Sequence, residues 1–362
     1  MRGAATTRDF DWTLLGFVLA IATLGVVEIY SATRNTVWEG AHLKQLLWIG
    51  LGLILLWTVA RIDYKTLVDQ APVFYAIAVV LLIGVELFGS TFGGAKRWLP
   101  LPAGVHLQVS EFVKVVLVLL VAWFFMGSSG RPSPARLGAI AALFGVPVVL
   151  VLRQPDLSTA LSYLPILALG VFLTGVRWKH LVVLALLGLL AAPIAWRQMQ
   201  PYQKERLISF ADPERDPRGG GYQSIQSKIA VGAGGIWGQG FARGSQAQLR
   251  FLPVPHTDFI FSAYAEEAGF VGVTLILGLY FAVLMRVVDN ARTAADTMGM
   301  HICMGVAGLL LFHLVVNVGM VIGQMPVTGL PLPLMSYGGS NALTTFLLFG
   351  LVINVRLRRF TN

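Results

Sequence analysis

The chain of 362 residues is 56% hydrophobic and 12% charged, with a mean hydropathy of +0.72, far from the soluble balance in which about a quarter of residues are charged. The apolar stretches are too many and too evenly spread for a membrane anchor with a soluble head, so the sequence reads as one integral membrane domain over residues 1–362. The net charge of +9 comes without a DNA-binding motif and fits attraction to an anionic leaflet, so no nucleic-acid partner is expected.

At about twenty apolar residues per span, the sequence predicts an all-α polytopic fold of ten transmembrane helices. They fall near 12–32, 43–60, 71–88, 108–126, 137–152, 157–174, 180–196, 259–285, 299–322 and 341–355. The first stretch, Trp12 to Tyr30, lacks a small-residue cleavage site and is expected to remain as a helix. An even count puts both termini on one side, and short cytoplasmic loops collect Lys and Arg. One set of segments holds thirteen: Arg2, Arg8, Arg61, Lys65, Arg131, Arg136, Arg177, Lys179, Arg286, Arg292, Arg356, Arg358 and Arg359. The opposite short loops hold five: Arg34, Lys44, Lys96, Arg97 and Arg153. Both termini are therefore expected in the cytoplasm. The single cysteine, Cys303, lies in an apolar stretch and permits no intramolecular disulfide.

With that orientation a large extracellular loop, residues 198–257, joins helices 7 and 8, and loops of this length are usually functional or disordered. Within it, Tyr222 to Val231 puts Ile225 and Ile229 on one helical face. The glycines of GAGGIWGQG, Gly232 to Gly240, allow tight backbone turns but form no phosphate loop, since no strand precedes them and no GK[ST] follows. Gly323 to Ser340, with three prolines and four glycines, is irregular chain in apolar sequence. Such backbone must be buried in protein or line a cavity, and it reads as the wall of an outward-facing site. Lys96 and Arg97 flank Trp98 in another outer loop, as interfacial cations beside an aromatic do.

Ionisable residues inside spans are functional candidates by default. Glu111 and Lys114, three apart on one helix, can neutralise one another. Asp156 stands where it can cap the next helix. Glu28, Glu86, Glu266 and Glu267 are read first as hydrogen-bonded intramembrane acids, and His313 and Asn317, four apart, as interhelical polar contacts. No histidine or cysteine spacing fits zinc and no nucleophile elbow is present. His256 and Asp258 are different, because they sit where the long polar loop meets an apolar helix. An outward-facing carboxylate beside several outer cations suits an anionic, lipid-linked substrate.

The segments GGAKRWL (Gly93 to Leu99), SEFVK (Ser110 to Lys114), QPDLSTA (Gln154 to Ala160), HTDFIF (His256 to Phe261), AEEAGFVG (Ala265 to Gly272) and PVTGLPLPLMSYGGS (Pro326 to Ser340) resemble, in order, the signatures of the SEDS family (shape, elongation, division and sporulation proteins). GSQAQLRFLP, Gly244 to Pro253, is more similar to its RodA elongation branch than to its FtsW division branch. The resemblance implies a peptidoglycan glycosyltransferase in the cytoplasmic membrane. Such an enzyme polymerises lipid II into undecaprenyl-diphosphate-linked glycan on the outer face, alongside a class B penicillin-binding protein and other elongation-complex membrane proteins. The family's essential aspartate falls on Asp258, and its polar cavity on Lys114, Glu111 and Asp156, with Arg97 beside them. Lys96, Arg97, Lys114, Arg206, Arg243 and Arg250 are candidates to stabilise the leaving diphosphate, with His256 adjoining the aspartate. A divalent cation is an alternative source of that charge, though nothing in the sequence demands one and no cofactor is identified. Two departures stand out: Val254 where the family commonly has an acid, and Asn341 after Ser340 where it often has a second serine. The rival readings are a lipid II flippase and a noncatalytic scaffold for the penicillin-binding protein.

Overall fold

The computed structural model describes residues 10–92, 95–100, 106–127, 131–176, 199–216 and 219–360, with five isolated positions between 177 and 198. Among them, seven helices are long and apolar enough to span a membrane. These are α1 (Trp12–Thr33), α2 (Ala41–Arg61), α4 (Ala71–Phe88), α6 (Pro134–Arg153), α12 (Ile260–Arg292), α13 (Thr297–Val321) and α14 (Gly339–Leu357). Between them come the short α3 (Tyr64–Asp69), α5 (Val109–Phe124), α7 (Leu157–Ser162) and α8 (Leu164–Leu173), then α9 (Pro201–Ala211), α10 (Tyr222–Ala233) and α11 (Ser245–Gln248).

Three of the ten expected spans differ from expectation. The one near 108–126 is α5, only 16 residues long; it is buried on most of its surface and so packs as a central helix. The one near 157–174 breaks between α7 and α8, where Pro165 follows the junction residue Tyr163, because proline supplies no amide proton to continue the ladder. The one near 180–196 lies outside the described residues. The 198–257 region contains α9, α10 and α11, with α10 on the Tyr222 to Val231 stretch read as helical.

The segment before α5 is a small antiparallel sheet, β1 (Ser90–Phe92), β2 (Ala95–Pro100) and β3 (His106–Leu107). Successive strand residues point to opposite faces. Lys96 therefore turns back to donate to the carbonyls of Glu86 (2.8 Å) and Leu87 (2.9 Å) at the end of α4. Arg97 turns the other way, toward Asp156.

At the opposite end, segments from across the sequence converge on buried polar ties. Asp11 caps α1 through Leu14 N (3.1 Å) and accepts Arg286 Nε (3.0 Å) and Asn290 Nδ2 (2.9 Å), with Arg356 Nε 3.6 Å away. Tyr64 donates to Asp296 (2.8 Å), while Arg358 pairs with Asp63 (3.8 Å). Leaving Asp11 buried without its cations would be strongly unfavourable, about 3–5 kcal/mol for a broken buried pair.

Helix α10 packs through small residues rather than through its isoleucines. Ser224, Ser227 and Ala230 are buried, whereas Ile229 is 45% exposed. Small residues let α10 approach α12 and α13 closely, and Ser227 Oγ bonds Ser262 Oγ and the Val321 carbonyl, both at 2.8 Å. In a membrane the apolar face can point to lipid while small and polar residues make the helix contact.

Helix α12 is broken at Gly269 (φ 64°, ψ −167°). The Gly235–Gly240 turn fills the break. Phe270 N and Val271 N donate to the carbonyls of Gly235 (2.9 Å) and Ile236 (3.1 Å), while Gln239 N and Gly240 N donate to those of Glu266 and Glu267, each at 3.0 Å. A β-carbon at Gly269 would lie 2.2 Å from Gly238 N. Gly269→Ala is therefore expected to lower the unfolding midpoint in detergent sharply or abolish folded yield, since this backbone region alone costs a non-glycine residue about 1–3 kcal/mol. Gly278→Ala, on the same helix with nothing within 4 Å, should behave like the parent protein. A near-parental midpoint for Gly269→Ala would remove the break from the determinants of the fold.

Candidate active site

Asp258 lies in the turn leading into α12, partly buried. Its backbone carbonyl accepts Asn317 Nδ2 from α13 (3.1 Å), and the same amide donates to the Leu330 carbonyl (2.8 Å). The aspartate turn and the 326–336 segment are thus held by one side chain. Ser336 Oγ adds a bond to the Thr257 carbonyl (2.7 Å), and Tyr337 N one to the His256 carbonyl (2.9 Å).

The Asp258 carboxylate faces Gly329, whose φ is +75°. A β-carbon there would stand 3.3 Å from Asp258 Oδ2 and 3.6 Å from Arg206 Nη1. Glycine is required both for the left-handed backbone and for the space between carboxylate and guanidinium. Arg206 reaches this point from α9, donates to the Thr328 carbonyl (3.1 Å) and shares that acceptor with Ser158 Oγ. Tyr202, one turn earlier, donates to the Pro155 carbonyl (2.6 Å). Part of the 198–257 region is therefore folded over the site as a short helix. Burial raises the Asp258 carboxyl above its ordinary range, and Arg206, then Arg97 and a Thr257 hydrogen bond, pull it back down. Burial is the largest effect, so the carboxylate is a better base than one in water.

Asp156 caps α7 through Thr159 N (3.1 Å) and Oγ1 (2.9 Å), as its position suggested, and its second oxygen also meets Gln108 Nε2 (2.9 Å) and Arg97 Nη1 (3.7 Å). Deeper in, Lys114 Nζ binds Glu111 Oε1 at 2.7 Å, with both side chains almost fully buried. Among the described residues, Glu111 Oε2 has no partner. Lys114 also approaches His313 Nε2 (3.3 Å), and His313 Nδ1 lies 3.0 Å from the Pro331 carbonyl.

Not every candidate gathers here. Lys96 is engaged by the end of α4. Arg250 donates to the Asn35 carbonyl (2.5 Å) and lines an open cleft of about 310 Å³ with Trp38 and His256. Arg243 is exposed and lies beside Gly240. His256 is buried, with its ring centroid 5.1 Å from Trp38 and 5.8 Å from Tyr337. Glu266 and Glu267 are hydrogen-bonded as read: Glu266 accepts Gln246 N (2.9 Å) and Ser245 Oγ (3.1 Å), and Glu267 accepts Ala242 N (2.9 Å) and Ser31 Oγ (2.5 Å). Among the described residues no group of three or more His, Cys, Asp or Glu is placed to hold a metal ion.

A family model described as cell cycle protein, covering FtsW, RodA and SpoVE, matches residues 11–360. The chain belongs to this family, the SEDS proteins. It is 39% identical over 354 residues to the peptidoglycan glycosyltransferase MrdB of Escherichia coli K12, covering 96% of this chain and 94% of that one. With the peptidoglycan glycosyltransferase RodA of Treponema pallidum it shares 33% over 426 residues, covering 97% and 98%. The crystal structure of the Thermus thermophilus rod shape determining protein RodA is similar, with a TM-score of 0.73 at 32% identity over 98% of both chains. A chain from a peptidoglycan synthase complex, solved to show coordination of polymerization and crosslinking, gives 0.83 at 35% over 98% of this chain and 99% of that one. In this SEDS protein the sequence reading passed over Gln108, Gln45 and Ser336. Gln45 is a buried polar residue of a spanning helix that accepts Gly338 N (3.2 Å), and polarity within an apolar span was the signal available for it.

Burial lowers the His256 imidazole from 6.5 to about 4, so it is neutral at pH 7. The unfolded chain takes up this proton near 6.5. The neutral residue's contribution to stability is therefore complete above about 6.5 and lost as pH falls through about 4. Unfolding midpoints measured between these pH values should fall less steeply for His256→Gln than for the parent. Equal slopes would exclude His256 as the source.

Proposed function

We propose that this chain, a peptidoglycan glycosyltransferase of the SEDS family, polymerises lipid II at the outer face of the cytoplasmic membrane during cell elongation, with Asp258 as general base. The observation that carries the reading is a partly buried carboxylate whose basicity burial raises, set against Arg206 across Gly329. In the reaction the 4-hydroxyl of a lipid II N-acetylglucosamine attacks the anomeric carbon of the growing chain's terminal N-acetylmuramic acid. Asp258 takes the hydroxyl proton as the new glycosidic bond forms, and undecaprenyl diphosphate leaves with the bonding pair. One displacement inverts the donor's α-linkage to β. Arg206, Arg97 and Lys114 supply positive charge toward the departing diphosphate.

This reading includes ten spans with both termini in the cytoplasm and the 198–257 region outside. The charge bias supports the orientation, as does the convergence of Asp11, Arg286, Arg356 and Arg358 at the end opposite Asp258. Similarity to a chain of a peptidoglycan synthase complex supports a class B penicillin-binding protein as partner.

Purified protein incubated with lipid II, with and without its penicillin-binding protein, should give glycan ladders on a gel. Asp258→Ala and Asp258→Asn should slow polymerisation by about 10²- to 10⁴-fold, the usual worth of general base catalysis. Equal ladders from folded variants would end the general-base assignment, and flipping of lipid II without ladders would favour the transporter reading.

The acid limb of the rate profile should report the Asp258 carboxyl. Arg206 holds that group down, so Arg206→Gln should move the limb to higher pH. A limb that stays in place or moves to lower pH would dissociate Arg206 from the base.

A further inference from the structure

We propose that His313 is a positioning residue, which aims the Lys114 ammonium into the site and links it to the wall that carries Gly329. The inference rests on the polymerase reading for its kinetic consequence but on geometry for its content. Lys114 is 1% exposed, and its ammonium carries three N–H donors. One goes to Glu111 Oε1 at 2.7 Å and a second to His313 Nε2 at 3.3 Å.

An ammonium has no lone pair, so the nitrogen facing it must accept. Nε2 of His313 is therefore unprotonated, and the ring proton sits on Nδ1. That proton points at the Pro331 carbonyl, 3.0 Å away. The two contacts fix one tautomer together, since the alternative would set an N–H against the ammonium and a lone pair against a carbonyl. Asn317, one turn further along α13, holds the Leu330 carbonyl and that of Asp258. One helical face thus sets the buried cation and the aspartate turn against the same stretch of wall.

With two donors committed, the third N–H of Lys114 and the unpartnered Glu111 Oε2 remain as an adjacent donor and acceptor for a polar substrate group. A diphosphate oxygen and a sugar hydroxyl are the chemistry that this pair matches. His313 touches neither. Its part is to restrict the rotation of a four-carbon side chain, so that the charge is in place before the diphosphate departs.

Two substitutions separate the two bonds. His313→Gln keeps an acceptor at the reach of Nε2 without the donor at Nδ1, and His313→Asn keeps a donor near Nδ1 without the acceptor. With lipid II and the penicillin-binding protein, His313→Asn should lower kcat by about tenfold with little change in KM, equivalent to about 1.4 kcal/mol of transition-state stabilisation. His313→Gln should restore most of the rate. The reverse order would make His313 only an anchor for the wall, and parental rates from both would leave it no role; either result overturns the proposal.

A second readout needs no substrate. In ¹⁵N-histidine spectra of the detergent-solubilised protein, the signal lost in His313→Asn should be that of a neutral, Nδ1-protonated ring. An Nε2-protonated or doubly protonated ring would overturn the positioning role whatever the kinetics. Absence of ladders from the parent protein, with the expected spectrum, would count instead against the polymerase reading.

Discussion

Hydrocarbon offers a peptide group no hydrogen bond, and an irregular segment at membrane depth persists only where side chains take over from solvent. The 326–336 segment is built on that constraint. Its carbonyls at Thr328, Leu330, Pro331 and Pro333 are met by Arg206 and Ser158, by Asn317, by His313 and by Tyr280 (2.5 Å), and Gln45 approaches that of Ser336 (3.4 Å). The donors come from α2, α7, α9, α12 and α13, so closing the segment's hydrogen bonds also fixes these helices around it. Proline at 331 and 333 removes two amide donors that would otherwise need acceptors, and Gly329 supplies the one backbone geometry that leaves room for Asp258. The wall beside Asp258 and the packing of the bundle are the same set of bonds.

A second consequence of the dry environment is the way α12 is divided. The break at Gly269 frees backbone groups in the middle of a helix, and the Gly235–Gly240 turn satisfies them with its own. The first half of α12, with Asp258 just ahead of its start, is therefore tied to the turn between α10 and α11 as well as to the rest of its own helix. Glu266 and Glu267 complete the tie by accepting amides of the 242–247 stretch. Their acidity is spent on backbone donors, which explains carboxylates so near the site that do not face it.

The sequence exposed the parts governed by strong costs. Long apolar runs marked the spans, and charges or prolines out of place in those runs marked Asp258, the Glu111–Lys114 pair and the Gly323–Ser340 wall. What it concealed depends on direction. Lys96 and Arg97 are neighbours with the same charge, and only the strand pairing of β2 sends one back to α4 and the other to Asp156. In α10 the sequence put Ile225 and Ile229 on one face without saying which face packs, and the contact is made by Ser224, Ser227 and Ala230, because in lipid an apolar stripe carries no information about which side is inside. His313 and Asn317 were legible as polar contacts. Their specific acceptors, at Pro331 and Leu330, belong to an irregular segment whose course no periodicity describes.

In the proposed mechanism, a site that expels a diphosphate with a carboxylate as base faces opposing electrostatic demands. Cations near the leaving group stabilise it, yet the same cations acidify the base and weaken it. The distribution of charge here reconciles the two. Arg97 stands near Asp156 and Lys114 is paired with Glu111, so each presents a reduced net field to Asp258 while retaining donors for an anion. Arg206 has no carboxylate within 4 Å among the described residues, its side chain being bonded to a neutral carbonyl, and it is the strongest of the influences lowering the Asp258 carboxyl. Burial still outweighs it. Arg206 also sits on α9, a short helix that no other candidate site residue shares, so the charge acting most directly on the Asp258 carboxylate is carried by a different element from Asp258 itself. In the proposed mechanism, the position of α9 therefore bears on the basicity of Asp258 through Arg206.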